Sequence, residues 1–286
     1  MALVTIWRVS GKFRVGLVIT LFLIVIGLLH DVIIRLAIGD LDPTRTGAFG
    51  IMEDPSREHW LGTDRFGRDV LGLVLTGLPI SLTVAVIAGG ISTVVGAVVG
   101  FVAGYKGGVV DATLRTITDM FLVIPTLPLI LILSAYVRDL SVLQLSLVLA
   151  AFSWPFAARV IRSQVLSLRE RPYVELSHMT NLRDREIIFQ DILPNMLPYL
   201  GIGFAQSAVG AAFALVGLTI LGLGPSGVLD LGTLISLAIG WGVLSLGKWA
   251  ILAAPVTLLI LLFVGVALIN QGMEEVYNPR LRGTTR

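Results

Sequence analysis

Residues 159–195 read RVIRSQVLSLRERPYVELSHMTNLRDREIIFQDILPN and form a polar island between two long apolar stretches. Eleven of these side chains are charged. An otherwise apolar chain that keeps one structured, charged loop usually uses that loop to contact a partner, because binding residues concentrate on loops held by a rigid scaffold. We therefore expect residues 159–195 to carry the function of the chain.

The composition places the chain in the membrane. Of its 286 residues, 55% are hydrophobic and 14% are charged, and the mean hydropathy is +0.90. Soluble domains carry about 25% charged residues, so an integral membrane protein with one membrane domain is indicated. The absence of cysteine excludes disulfides, iron–sulfur clusters and thiolate zinc sites. The small basic excess, a net charge of +2, is explained by the basic residues that orient a membrane protein, and it does not indicate a nucleic-acid partner.

Apolar runs of roughly 20 residues mark the membrane spans, because this length crosses ~30 Å of hydrocarbon. The sequence predicts an all-α, multi-pass bundle of six transmembrane helices. Basic residues precede the first run, but no small-residue cleavage site follows it closely, which favours an uncleaved span over a signal peptide. The predicted spans are 15–36, 78–104, 117–137, 142–158, 196–223 and 249–269.

Basic residues predict the orientation, because Lys and Arg concentrate in cytoplasmic loops. The tails, the 104–115 loop and the polar island hold 14 of the 21 basic residues. The protein is therefore expected in the plasma (inner) membrane, with both termini and the island in the cytosol. The 224–248 loop is expected outside. The predicted parts are a cytosolic tail (1–14), a transmembrane domain (15–272) with an external loop (37–77) and a cytosolic loop (159–195), and a second cytosolic tail (273–286).

Two features inside the spans have alternative interpretations. Gly96, Gly100 and Gly104 recur every four residues and predict a surface where another helix approaches closely. Packing within the chain is favoured, and a subunit interface is the alternative. Asp119 is expected near the cytosolic end of its span, where neighbouring side chains satisfy it, and the alternative is a proton relay.

The first half of the polar island predicts a short helix. Pro172 suits the first helical position, where its missing N–H costs nothing. Residues 173–180 then form about two turns, and Asn181 falls where the helix should stop, because Asn tolerates the left-handed conformation that closes helix ends.

The second half of the island predicts another short helix, over residues 185–192, with Asp184 as its N-cap. Pro194 and Pro198 are expected to bend the chain into the fifth span. Two short helices around a tight turn form a compact unit that is stiff enough to transmit a displacement.

The island resembles the EAA loop of membrane subunits of bacterial ABC importers, and the wider chain resembles the C-type permease of dipeptide, oligopeptide and nickel importers. Segments from residue 59 to residue 282 carry the resemblance. They are His59-Trp60-Leu61-Gly62-Thr63-Asp64-Arg65-Phe66-Gly67-Arg68-Asp69, which matches GTDxxGRD; Trp154 to Arg159 with Arg162 and Gln164; the island itself from Tyr173 to Asn195; Leu221-Gly222-Leu223-Gly224 with Leu231-Gly232-Thr233; and Asn278-Pro279-Arg280-Leu281-Arg282.

The chain departs from the family pattern inside the island. The family usually has two alanines where this chain has Leu176 and Ser177, glycine at Asn181, and often histidine at Asp191. Asn181 keeps the turn feasible, so we expect the compact unit to survive. Such departures can mark a branch with a different cargo, and similar permeases carry oligosaccharides instead of peptides.

The resemblance implies an ATP-driven importer in which this chain is a permease subunit. Its partners would be a second permease, two ATPase subunits, an extracytoplasmic solute-binding protein and membrane lipid. The cargo would be di- or oligopeptides or a related solute such as an oligosaccharide. The residues expected to contact the ATPase are Tyr173, Glu175, Leu176, Ser177, Asn181, Leu182, Arg183 and Asp184.

The external signature loop consists of Gly62, Thr63, Asp64, Gly67, Arg68 and Asp69. With Arg65, its charged residues predict a salt-bridged turn that anchors the second span. Direct contact with the solute-binding protein is the alternative.

The sequence offers no enzymatic chemistry, so catalytic, metal and cofactor sites are not predicted. It lacks the GxxxxGK[ST] phosphate loop, so ATP hydrolysis is expected on separate subunits. Residues 222–227 fit GxGxxG, but they end a membrane helix, whereas a dinucleotide site needs a preceding strand. The alternative function is a secondary transporter or channel subunit without an ATPase, but a secondary transporter should show inverted repeats and ionisable groups at mid-membrane.

Overall fold

The structure, a computed structural model, describes residues 10–136, 140–180 and 182–277. Within these ranges the chain is helical without β-strands, apart from an isolated bridge between Thr63 and Asp69. The helices are α1 (Gly11–Leu28), α2 (His30–Ile38), α3 (Val70–Lys106), α4 (Gly108–Val123), α5 (Thr126–Tyr136), α6 (Val142–Arg169), α7 (Pro172–Met179), α8 (Asp184–Ile220), α9 (Leu231–Gly240) and α10 (Trp249–Tyr277).

The predicted fold class is confirmed. In the described residues, α1, α3, α6, α8 and α10 are long and apolar enough to cross a membrane, and the bent pair α4 and α5 makes a sixth if it is counted as one broken span. Each predicted span overlaps one of these elements. Hydropathy succeeds here because the thickness of the bilayer core fixes the length of an apolar run.

The third span is not the single helix that was predicted over 117–137. It begins earlier, at Gly108, and the axes of α4 and α5 differ by 74°. Pro125 explains the break, because its ring disfavours helical geometry at the preceding residue. Ile124 accordingly adopts an extended conformation with φ −71° and ψ 120°.

The first predicted span is also divided. Helix α1 ends at Leu28, and Leu29 departs from helical geometry with φ −97° and ψ 11° before α2 begins at His30. The imidazole Nδ1 of His30 lies 2.9 Å from the carbonyl oxygen of Gly27, at the end of α1. This contact engages a carbonyl in the last turn of α1, where carbonyls lose their helical partners.

Helix α8 runs through Pro194 and Pro198, so the coupling segment enters the fifth span as one continuous helix. The chain forms a π-helical turn over Ile187–Ile192 immediately before Pro194. In an α-helix, the proline ring would clash with the carbonyl four residues earlier. A wider turn relieves such a clash and lets the helix continue.

The loop predicted over residues 224–248 contains a helix, α9, that was not predicted. Asp230 caps its N-terminus, because the carboxylate accepts hydrogen bonds from the N–H groups of Gly232 and Thr233. Residues Leu231, Leu234, Ile235 and Ala238 are buried. With ten residues, α9 is too short to span a bilayer, and it packs as part of a core instead.

The residues divide into two compact units, of which the first comprises residues up to 85, 131–145 and from 212 onward. Helices α1 and α10 pack closely in this unit, since a Cβ on Gly16 would lie 2.5 Å from the Gly265 carbonyl oxygen. At the end of this contact, Lys12 Nζ lies 2.6 Å from Glu275 Oε1. A second buried cluster joins α3, α9 and α10 around Leu78, Leu231 and Ile251.

The second unit comprises residues 86–130 and 146–211. Its glycine positions confirm the prediction of close packing within the chain. A Cβ on Gly96 would lie 2.6 Å from the Ala157 Cβ, and a Cβ on Gly100 would lie 2.8 Å from the Ala158 carbonyl oxygen. Helix α6 therefore lies directly against the backbone of α3, and only glycine fits at these positions.

We predict that Gly100→Ala destabilises the protein by about 1–3 kcal/mol, because the added methyl group overpacks the contact with α6. Gly210→Ala is the matched control, because a Cβ there meets no atom within 4 Å. Alanine raises helix propensity equally at both positions. Thermal unfolding of the purified variants checks the prediction, and equal midpoints for the two variants would contradict the packing.

Candidate functional site

The polar island is an ordered structure, and we call residues 159–195 the coupling loop. Helix α6 continues to Arg169, eleven residues beyond the predicted end of its span at 158. After a turn at Arg171, helix α7 begins at Pro172, as predicted. The Arg171 carbonyl oxygen accepts hydrogen bonds from the N–H groups of Val174, at 2.9 Å, and Glu175, at 3.2 Å, which start the helix.

One side of α7 is anchored in a hydrophobic cluster. Val174 is fully buried and packs in a cluster with Ile187 and Ile192 of the π-helical turn, and with Ile161 and Val165 of α6. Burying a side chain of this kind contributes about 1.5–3 kcal/mol. The cluster therefore holds α7 and the start of α8 against the end of α6.

The opposite side of α7 is apolar and exposed. Leu176 is 62% exposed and Met179 is 73% exposed, and the exposed Phe189 lies on the π-helical turn, at 65%. Tyr173 and Leu182 are also exposed, each at 38%. Soluble surfaces rarely carry so many large apolar side chains together, and such patches mark interaction sites.

The junction between α7 and α8 differs by one residue from the prediction. The Arg183 backbone N–H donates to Glu186 Oε2 at 2.8 Å, so Arg183 is the N-cap and Asp184 is the first residue of the helix. The carboxylate of Glu186 captures this N–H, which moves the start of the helix by one position. Asp184 Oδ1 instead accepts a hydrogen bond from the Tyr105 hydroxyl at 2.9 Å. Asn181 lies outside the described residues.

Two positions where the chain departs from the family pattern contact each other. The Ser177 hydroxyl donates to Asp191 Oδ2 at 2.7 Å, across the junction between α7 and α8. The Asn195 amide donates to the Asp191 carbonyl oxygen, also at 2.7 Å. The Ser177 contact connects the two helices, whereas the Asn195 contact lies within α8.

The end of α6 is tied to α3 and α4 by arginine side chains. Arg169 donates to the carbonyl oxygen of Tyr105 at 3.0 Å, in the last turn of α3. Arg162 forms a paired contact with Asp111, and Arg159 contacts Asp119 Oδ1 at 2.7 Å. The prediction that neighbours satisfy Asp119 is confirmed. Arginine suits these contacts because its planar fork can meet both carboxylate oxygens at once.

Sequence reasoning missed Met179 and Phe189 as surface residues of the coupling loop. Met179 lies three residues after Leu176, so helical periodicity places both on one face of α7, and this signal was available. Phe189 lies within the π-helical turn, where side chains depart from the 3.6-residue period of an α-helix. No simple sequence pattern predicts that departure.

The signature loop, which was predicted to lie outside, forms a tight, hydrogen-bonded structure in the first unit. Thr63 is buried, and its hydroxyl donates to the Gly50 carbonyl oxygen at 2.6 Å. Asp64 is also buried, and its Oδ2 accepts from Arg68 Nε at 2.8 Å. Gly62 and Gly67 both have positive φ, and a Cβ on either would lie 2.4 Å from a backbone oxygen.

Asp69 joins the signature loop to α3. Its Oδ1 accepts from the Gly72 N–H at 2.8 Å, which caps the helix and starts it at Val70 rather than at the predicted residue 78. Its Oδ2 lies 2.9 Å from His59 Nδ1. The predicted salt bridge is therefore present between Asp64 and Arg68, whereas Asp69 pairs with His59, a partner that no local sequence pattern indicates.

Asp230 caps α9 in a buried position. Burial raises the pKa of its carboxyl group, although the hydrogen bonds from Thr233 and Gly232 act in the opposite direction.

Within the described ranges, no group of three or more His, Asp or Glu side chains is arranged to hold a metal ion.

Comparisons with known proteins agree with this architecture. Residues 96–283 match the family described as the binding-protein-dependent transport system inner membrane component. The oligopeptide transport system permease protein of Mycobacterium tuberculosis is 34% identical over 239 residues, covering 82% of this chain and 81% of the relative. The protein of the same name from Bacillus subtilis is 27% identical, covering 96% of this chain and 88% of the relative.

A solved structure shares the fold. The MetNI methionine ABC transporter, in an inward-facing conformation, contains a chain that aligns with a TM-score of 0.54 and 22% identity. The alignment covers 75% of this chain and 97% of that chain. The chain described here therefore belongs to the family of binding-protein-dependent transport system inner membrane components, as a permease subunit of an ABC importer.

Proposed function

We propose that the coupling loop docks on a separate ATPase subunit and passes its movement to the transmembrane helices. The exposed apolar face of α7 is the observation that carries this proposal. That face lies opposite Val174, whose buried side chain anchors α7 to α6. A force on Leu176 or Met179 would therefore reach a membrane span through a packed cluster.

The docking surface consists of the residues expected from the sequence, together with two that the structure adds. Glu175, Arg183 and Asp184 are exposed and would supply charged contacts around the apolar centre. A central apolar patch with a polar rim is the usual anatomy of a protein interface. The proposed surface comprises Tyr173, Glu175, Leu176, Ser177, Met179, Asn181, Leu182, Arg183, Asp184 and Phe189.

The importer would contain further subunits. Two ATPase subunits would close on ATP, a second permease would complete the translocation path, and an extracytoplasmic solute-binding protein would deliver the cargo. Membership of a binding-protein-dependent transport family supports this set and argues against a channel or a secondary transporter. ATP hydrolysis would take place on the ATPase subunits rather than on this chain.

The proposed cargo is an oligopeptide. Relatives from Mycobacterium tuberculosis and Bacillus subtilis are named as oligopeptide permeases, which supports this choice over an oligosaccharide. The departures at Leu176 and Ser177 would then reflect the shape of the cognate ATPase groove. A solute-binding protein sets selectivity in such systems, so screening ligands against the cognate binding protein would test the cargo.

The proposed topology places both termini and the coupling loop in the cytosol. The tails 1–14 and 273–286 would flank a transmembrane domain over 15–272, with the loop at 37–77 outside. In this arrangement, the hydrogen bonds of Thr63, Asp64, Arg68 and Asp69 would fix the outer end of α3. The signature loop would therefore anchor a span instead of contacting the solute-binding protein directly.

Glu175→Arg is expected to leave the protein in the membrane, to weaken its association with the ATPase and to abolish uptake. The exposed carboxylate would be replaced by a charge of opposite sign in the proposed interface. Copurification of the ATPase and uptake of a labelled peptide into cells are the measurements. Glu170→Arg is the matched control, because Glu170 is exposed on the same loop but precedes α7. Normal uptake by Glu175→Arg would make the loop a passive element.

The stiffness of the coupling loop is expected to depend on the hydrogen bond between Ser177 and Asp191. Ser177→Ala and Asp191→Ala should each lose about 0.5–1.5 kcal/mol of local stability, and the double variant should lose little more than one single variant. Hydrogen exchange at the amides of α7 measures this effect. Ser163→Ala is the control, because the Ser163 hydroxyl bonds to its own helix at Val160. Additive effects would show that the two residues act independently.

Single cysteines test the topology, because the chain has none of its own. We expect a membrane-impermeant thiol reagent to label cysteine variants of the exposed residues Arg57 and Ser226 in intact cells. A cysteine at Thr180, which is exposed between α7 and α8, should react only after permeabilisation. Labelling in the reverse pattern would invert the proposed orientation.

A further inference from the structure

A cavity in the second unit lies between α3, α4 and α6. Its volume is about 470 Å³. One part of the lining is charged or polar and the rest is apolar. The polar residues are Arg115, Thr118, Asp119, Arg159 and Arg162, and the apolar ones are Val99, Gly100, Ala103, Leu114 and Ala158.

Charged side chains beside the cavity form two facing rows. On α4, Asp111, Arg115 and Asp119 follow each other at four-residue spacing, so they lie along one face of the helix. On α6, Arg162 pairs with Asp111 and Arg159 pairs with Asp119. These two short ion pairs use two guanidinium groups and both carboxylates.

Arg115 is the third guanidinium, and it lies between the two ion pairs along α4. It forms a third and looser ion pair, with its Nε 3.7 Å from Asp119 Oδ2, so it shares that carboxylate with Arg159, and its side chain is 65% exposed. The Arg159 side chain is 59% exposed. Three guanidiniums against two carboxylates leave one positive charge in excess beside the cavity.

The position of the cavity relates it to the membrane surface. Helices α4 and α6 belong to candidate spans, and α3 ends at Lys106, one turn beyond the lining residue Ala103. The charged rows therefore lie where apolar helices give way to the coupling loop. At this depth a side chain meets lipid headgroups, and basic pockets between membrane helices bind anionic headgroups.

We propose that this cavity binds the phosphate group of an anionic phospholipid, in the leaflet on the same side as the coupling loop. The guanidiniums of Arg115 and Arg159 donate to the phosphate oxygens, a geometry for which arginine is well suited. The apolar side chains of Val99, Ala103 and Leu114 face the first part of an acyl chain. This site is independent of the cargo and of the docking surface proposed above.

Native mass spectrometry of the purified importer complex, incubated with phosphatidylglycerol or with phosphatidylcholine of the same acyl chains, tests the proposal. We expect the wild type to retain phosphatidylglycerol preferentially. Arg115→Gln should reduce this retention about fivefold, because one basic residue near a membrane surface contributes this much to binding an anionic lipid. Arg14→Gln is the matched control, since it removes one exposed positive charge from α1.

Arg115→Gln leaves the ion pairs of Arg159 and Arg162 in place. Arg115→Lys keeps the positive charge, so this variant should retain most of the phosphatidylglycerol that the wild type retains. Equal retention by wild type and Arg115→Gln would overturn the proposal, as would equal binding of the two lipids. Glycerol 1-phosphate serves as a soluble competitor, and complete displacement of the lipid at equal concentration would assign the site to a free phosphate compound.

Discussion

The contact between the backbones of α3 and α6 is the constraint on which the second unit depends. In lipid, apolar side chains gain no hydrophobic free energy by meeting each other, so helices associate through van der Waals packing where small residues allow close approach. Gly96, Gly100 and Gly104 provide such a surface, and Ala157 and Ala158 fill it. Helix α6 continues from this contact into the coupling loop. The position of the loop therefore depends on the three glycines of α3, which carry no Cβ.

The same contact brings together the residues that hold the coupling loop. Phe101 of α3 and Ile161 of α6 belong to the cluster that buries Val174 and Ile187. Arg169 donates a hydrogen bond to the Tyr105 carbonyl oxygen in the last turn of α3. An apolar cluster and a peripheral hydrogen bond thus position α7 without any contribution from its exposed face, which remains available for a partner.

Much of the fold could be predicted from the sequence, because bilayer thickness and proline chemistry act locally. The spans, the start of α7 at Pro172 and the packing of Gly100 all followed from such rules. The break at Pro125 could have been predicted from the proline itself, but the apolar run on both sides of it suggested one continuous helix. The π-helical turn before Pro194, the pairing of His59 with Asp69 and the contact of Ser177 with Asp191 depend on residues that only the fold brings together, so no local pattern predicted them.

The exposed apolar face of α7 also affects how long an unassembled subunit survives in the cell. A newly made chain presents Leu176, Met179 and Phe189 to water before any partner covers them. Surfaces of this kind promote aggregation and attract proteases and chaperones, which act on exposed apolar segments. Under the proposed docking, surplus copies would be vulnerable to removal, and the number of surviving permeases would match the supply of the ATPase subunits that cover this face.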